Sequence, residues 1–183
     1  MGPTRLPSIC AIASARGLAK PEFRKLLGIV EVDETYIGGK NKNRHWAKRT
    51  PGTGGEGKDT VVGAVERKGN VVARVIAHAD TETLNSFIRE AISEKVSLIA
   101  TDEFPGYRKL KKHGTVRHCA GQYVNGAVHT QTINGFWSLL KRGIMGSFHK
   151  VSRKYLPLYV AEFEWRYNNR DNADIFGAAI AHC

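Results

Sequence analysis

Three polar residues in this chain have the types and settings that phosphate chemistry needs. Asp33 lies in the middle of an alternating stretch, Asp102 directly follows an apolar run, and Asn134 stands near the start of a helical pattern. Oxygen donors of this kind are what Mg²⁺ takes, with Mn²⁺ as its close substitute, usually as one or two carboxylates completed by water and substrate phosphate. Two such ions about 4 Å apart activate an attacking oxygen and stabilise a leaving oxygen in an in-line displacement. Lys141 lies two helical turns beyond Asn134 on the same face, about 10 Å along the axis, and adds a cation for phosphate. The same residues admit a plainer reading. Glu31, Asp33 and Thr35 could equally line a solvated sheet edge, and the helix of Asn134 could be an ordinary amphipathic one.

These residues need elements to hold them. Ile29 to Ile37 alternates, with Val30 and Val32 on one face and Glu31, Asp33 and Thr35 on the other, which predicts a strand with a carboxylate in mid-span. Gly38-Gly39 ends it, and a Gly- and Lys-rich loop fills residues 40–59. Thr60 to Glu66 and Val71 to Ala79 are β-rich, and Gly69-Asn70 between them predicts a hairpin. Leu84, Phe87, Ile88 and Ala91 give Thr81 to Ile92 a helical stripe, and Val96 to Thr101 reads as a short buried strand that stops at Asp102. In open α/β sheets the carboxyl ends of strands are where ligands bind, so Asp102 is well placed for a site.

Tyr107 to His113 reads as a short basic helix and Thr115 to Cys119 as a fifth strand. In the stretch Thr130 to Gly143, Ile133, Trp137, Leu140 and Ile144 form an apolar stripe, while Asn134, Ser138 and Lys141 share a second face. Thr132 reads as the cap of this helix, which puts Asn134 in its first turn, where exposed N–H groups favour an anion. Trp137 belongs to the buried stripe in preference to a base-stacking role. A last helix is predicted over Ser152 to Arg170, with Leu156, Val160, Phe163 and Tyr167 covering the sheet. Hairpin, helix and buried strands together imply an α/β mixed sheet flanked by helices.

At 183 residues the chain has room for one main domain, and its formal net charge is +11. That charge is unevenly spread: between Phe104 and Ala161 there are many Lys and Arg but no Asp or Glu. Such a one-signed field draws polyanions, with nucleic acid the first candidate. Membrane attachment would also need an apolar anchor, and no run approaches the roughly 20 residues of a spanning helix. Cys10, Cys119 and Cys183 are scattered and include no Cys-x-x-Cys pair, so neither a disulfide framework nor a zinc ribbon is legible and a reducing cytoplasm is expected.

Four ordered blocks carry a family resemblance. Val30-Glu-Val-Asp-Glu-Thr-Tyr-Ile-Gly-Gly-Lys40, Thr101-Asp-Glu-Phe-Pro-Gly-Tyr107 and His129-Thr-Gln-Thr-Ile-Asn-Gly-Phe-Trp-Ser-Leu-Leu-Lys-Arg-Gly143 resemble the catalytic blocks of ISXO2-like bacterial insertion-sequence transposases, and Phe163-Glu-Trp-Arg-Tyr-Asn-Asn-Arg170 resembles the family's closing helix. The resemblance implies an RNase H-like fold and a DDE-type mechanism in which Asp33, Asp102 and Asn134 are catalytic and hold two Mg²⁺ or Mn²⁺ ions. Asn134 stands at the third position, which is Glu in many relatives. DNA is the implied partner, as transposon ends and as target, contacted by Lys141, Arg142, His129, Lys111 and Lys112 and by a homo-oligomer assembled on it. His129 could touch phosphate or serve as a loop hydrogen-bonder, and Glu103 reads as a turn residue.

The expected organisation is a tail or remnant of a missing upstream module at 1–28, a catalytic domain at 29–171 and a C-terminal tail at 172–183. Relatives carry a zinc ribbon and a helical DNA-binding segment ahead of the first catalytic strand. The expected activity is metal-dependent cleavage at transposon ends with strand transfer to target DNA. The alternatives are a truncated, inactive DNA-binding remnant and an RNase H-like structure-selective nuclease.

Overall fold

The computed structural model describes residues 24–39, 45–48, 57–101, 113–115, 129–148 and 151–181. Its strands are β1 (Ile29–Ile37), β2 (Asp59–Glu66), β3 (Val71–Ile76), β4 (Leu98–Thr101) and β5 (His113–Thr115). Helix α1 (Thr81–Ala91) precedes β4, and α2 (Gln131–Arg142), α3 (Leu156–Asn168) and α4 (Ile175–Ala181) follow β5. The strand order is β3-β2-β1-β4-β5. β1, β2 and β3 run antiparallel as a meander, while β4 is parallel to β1 and β5 to β4. With helices packed on both faces, this mixed sheet is RNase H-like, the fold that the block resemblance implies.

β1 is the central strand, so its alternation sorts side chains between two cores. Val30 and Val32 point to the side of α1 and pack with Val62, Ala64, Leu84, Phe87 and Ile88. On the opposite face Val61, Val65 and Ile37 pack with Ile133, Phe136, Trp137 and Leu140 of α2. The polar face of β1 is therefore covered by a helix, and the solvated-edge reading of Glu31 does not hold: Glu31 is fully buried. The first core also takes in Leu26, which bridges to Ile92 ahead of β1.

Asp80 starts α1 by accepting hydrogen bonds from the backbone N–H and the hydroxyl of Thr83, each at 2.9 Å. The Thr83 N–H is the main reason the Asp80 carboxyl sits below its ordinary value. In the β2–β3 hairpin the left-handed residue is Lys68, with φ of 60°, one residue earlier than the Gly69-Asn70 signal implies. β3 ends at Ile76, short of Ala79, and α3 begins at Leu156 with Pro157 in its first turn, later than Ser152. β5 covers His113–Thr115; of the strand expected over Thr115–Cys119 only Thr115 is among the described residues. Residues 107–112 lie outside the described residues, and a helix forms over Ile175–Ala181 within the segment read as a tail.

β3 is an edge strand, and α3 satisfies its outward backbone. Asn168 accepts from the Val71 N–H at 2.7 Å and donates to the Val71 carbonyl at 2.9 Å. One turn earlier Glu164 accepts from the Ala73 N–H at 3.0 Å. Side chains one helical turn apart thus cap alternate residues at the start of the strand, which blocks part of the pairing an open edge offers.

Burial pushes the Glu164 carboxyl up to about 7, against the smaller opposing pulls of the Ala73 N–H and Arg74. Between its ordinary value of 4.5 and about 7 the folded state holds more protons than the unfolded chain, so stability falls as pH rises through this window. A shift of this size corresponds to at most about 3 kcal/mol. Glu164→Gln keeps an acceptor for Ala73 and removes the titration. Its melting temperature relative to the parent is expected to rise from pH 5 to pH 8; a constant difference would contradict this account.

Candidate active site

α2 lies over the centre of the sheet because its apolar stripe, Ile133, Phe136, Trp137 and Leu140, matches the valines of β2 and β3 beneath it. Its N-cap is Thr130, without a side-chain cap bond, and Thr132 lies inside the first turn. Thr132 is therefore not the cap. Its backbone N–H and hydroxyl donate to the Glu31 carboxylate at 2.7 and 2.9 Å, and the Ile133 N–H donates to the same group at 3.0 Å. The anion that the helix start attracts is thus the chain's own Glu31.

Glu31 collects further donors from the other side. Arg67 Nε donates to it at 2.7 Å, and the same guanidinium donates to the His129 carbonyl at 3.0 Å. His129 Nδ1 lies 3.2 Å from Glu31 Oε1 but makes no hydrogen bond to it. A fully buried carboxylate is tolerated only when paired and hydrogen-bonded in this way.

Two residues further along β1 is Asp33, half-buried, whose Oδ2 accepts from the Trp137 indole N–H at 3.0 Å. The indole lies across β2 at Gly63, the residue paired with Asp33. A Cβ on Gly63 would stand 2.6 Å from the indole ring, so the ring can reach Asp33 only because this residue has no side chain. Trp137 is accordingly a core residue with a polar duty, and the sequence pattern alone gave no sign of the second role.

Asp33, Glu34, Thr35, Asn134, Trp137, Ser138, Lys141 and Arg142 line one open cleft of about 430 Å³. Asp33 and Asn134, far apart in sequence, are thus brought together, with Lys141 and Arg142 on the same wall. His129 is set apart, with its ring beside Glu31. Asp102, Lys111 and Lys112 lie outside the described residues. Arg166 pairs with Glu162 at 2.6 Å.

Among the described residues no group of three or more His, Cys, Asp or Glu could hold a metal ion. The described wall of the cleft offers the carboxylate of Asp33 and the amide oxygen of Asn134, oxygen donors that suit a hard divalent cation better than zinc or copper. Among the described residues no helix is long and apolar enough to cross a membrane.

Comparison with known proteins agrees with the block resemblance. The ISXO2-like transposase domain model matches residues 25–168. An uncharacterized transposase-like protein of Haemophilus influenzae is 29% identical over 113 residues, covering 57% of this chain and 85% of that protein. An uncharacterized protein in transposable element ISH50 of Halobacterium salinarum is 31% identical over 156 residues, covering 77% of this chain and 52% of that protein, so the chain spans about half of that relative's length. Among solved structures, the catalytic core domain of HTLV-2 integrase in complex with magnesium, in its trimeric form, matches at 17% identity and a TM-score of 0.47, over 84% of this chain and 95% of that one. With its family model running from before β1 to the end of α3, the chain belongs to the ISXO2-like transposase family.

Proposed function

We propose that this cleft carries out metal-dependent DNA cleavage at transposon ends and joins the freed 3′-hydroxyl to target DNA. The observation that carries the reading is the convergence of Asp33 from β1 with Asn134 and Lys141 from α2 on one cleft. Asp33 and Asn134 would hold the cation, and Asp102 is proposed as the second acid. Support for Asp102 comes from the strands: β1 and β4 pair Ile29 with Leu98, Val30 with Ile99 and Glu31 with Ala100, a constant offset in sequence number that also separates Asp33 from Asp102. When bound, two Mg²⁺ or Mn²⁺ ions supply activation of the attacking oxygen and stabilisation of the leaving one.

The chain's own groups bind and orient the DNA. Lys141 and Arg142 are exposed cations on the cleft wall, placed to take phosphate, with Lys111 and Lys112 as further proposed contacts. The hydrogen bond from Trp137 to Asp33 limits the motion of one proposed ligand before DNA arrives. DNA as partner, assembly of several copies on it, and the cytoplasm as the place of action are parts of the same proposal.

The test is a strand-transfer assay on a labelled duplex carrying the element's terminal sequence, with Mn²⁺ and a target plasmid. Joined product is expected. Cleavage without joining would point to a structure-selective nuclease, and DNA binding with no cleavage at any metal concentration would identify a catalytically dead remnant.

A further inference from the structure

We propose that Glu31 is a positioning residue for this site, fixing where Asn134 stands relative to Asp33; the inference rests on the functional reading above. Helix α2 is tied to β1 at two points. The first is the Glu31 carboxylate, which takes the N–H groups of Thr132 and Ile133 and the Thr132 hydroxyl. The second is Asp33, which takes the Trp137 indole N–H.

The two ties match in pitch. Ile133 to Trp137 rises about 6 Å along a helix, and Glu31 to Asp33 spans about 6.7 Å along a strand. α2 can therefore run with β1 through this interval without strain, and Asn134, between the two ties, is held in register with Asp33. Either tie alone would leave the helix free to slide or pivot about it.

Packing by itself does not explain a charge in this position. The neighbouring inward positions on β2 are Val61, Gly63 and Val65, and an apolar residue at 31 would fill the same space. It would not select among helix positions, because apolar contact is non-directional. A carboxylate accepting two successive N–H groups accepts only one axial position and one rotation of the helix. Arg67 holds the other side of the carboxylate and reaches the His129 carbonyl ahead of the helix, so the chain entering α2 is fixed along with its first turn.

The test uses the full chain and Mn²⁺ as probe, following free Mn²⁺ by electron paramagnetic resonance with duplex DNA present, alongside cleavage. Glu31→Gln is nearly isosteric but turns a donor group towards Arg67 or the helix start. It is expected to raise the half-saturating Mn²⁺ concentration about tenfold or more, the scale seen when groups supporting a metal ligand are lost. Amide exchange at Thr132 and Ile133 should quicken while β2 stays protected. Thr132→Ala, which removes one donor and keeps the backbone, should shift Mn²⁺ binding in the same direction by less, and it carries the test if Glu31→Gln does not fold. Ile88→Ala, a core truncation on the opposite face of the sheet, should lower thermal stability without moving the Mn²⁺ curve.

If the parent and Asp33→Ala bind Mn²⁺ alike, the functional reading fails and this proposal with it. If those two differ while Glu31→Gln and Thr132→Ala follow the parent, or if Ile88→Ala shifts the curve as much as they do, the positioning role alone is overturned.

Discussion

Asp33→Ala is expected to reduce DNA cleavage at least about a thousandfold, the scale on which a metal contributes several kcal/mol of transition-state stabilisation. DNA binding should persist or tighten slightly, because the substitution removes a negative charge facing phosphate. Part of the effect of Ala would be structural, since the Trp137 indole N–H loses its acceptor at a cost of about 1 kcal/mol or more. Asp33→Asn separates the two effects. Its amide oxygen still accepts from Trp137 while the charge is gone, so near-parental melting together with lost cleavage is the expected pair of results. Parental cleavage by either variant would remove Asp33 from the site.

Gly63→Ala should be nearly as damaging, although residue 63 does not line the cleft. Its new Cβ would stand 2.6 and 2.8 Å from carbons of the rigid Trp137 indole and 3.2 Å from Ile133 Cδ1, inside a packed core. Overpacking of this kind costs about 1–3 kcal/mol. To relieve it the indole must move off β2, and that pulls its N–H away from Asp33. A lowered melting temperature is expected together with weaker Mn²⁺-dependent cleavage. The double variant Gly63→Ala/Trp137→Phe should recover part of the stability, since the smaller ring makes room, without recovering cleavage. Unchanged melting and cleavage in Gly63→Ala would mean that the Trp137–Asp33 contact is not a constraint.

The sequence carried those features of the site that leave a periodic or terminal mark. The stripe of Ile133, Trp137, Leu140 and Ile144 gave α2 because a helix buries every third or fourth residue. The alternation of Ile29 to Ile37 gave β1 with its bounds, and Asn134 and Lys141 fell on one face as their spacing required. What stayed hidden depends on partners far away in sequence. Glu31 next to Asp33 on an alternating face looks the same whether that face meets water or a helix, and the groups that decide it, Thr132 and Ile133, are about a hundred residues on.

For the same reason Thr132 was legible as a capping residue, since a Thr near a helix start normally caps it, whereas here its hydroxyl has a better acceptor in a buried carboxylate. Gly63 gave no signal at all: a glycine within a valine-rich strand explains itself only when the ring that crosses it is known. The described strand β5, His113–Thr115, leaves little mark in the sequence because three residues in a parallel pair are too few for alternation to register, and residues 116–119 of the expected strand lie outside the described residues.

In the proposed site Asp33 and Asn134 share a divalent cation whose binding is completed by DNA. An amide oxygen coordinates a hard cation without adding charge, so the free protein should bind Mn²⁺ weakly, in the millimolar range of charge-poor oxygen sites. Phosphate would supply the missing charge, and linkage then requires metal and DNA to tighten each other by the same factor. Titrating Mn²⁺ into the parent and into Asn134→Ala, with and without duplex DNA, measures this directly. DNA is expected to strengthen Mn²⁺ binding to the parent, and Asn134→Ala to bind more weakly in both conditions; coincident curves for the two proteins would mean that Asn134 is no ligand.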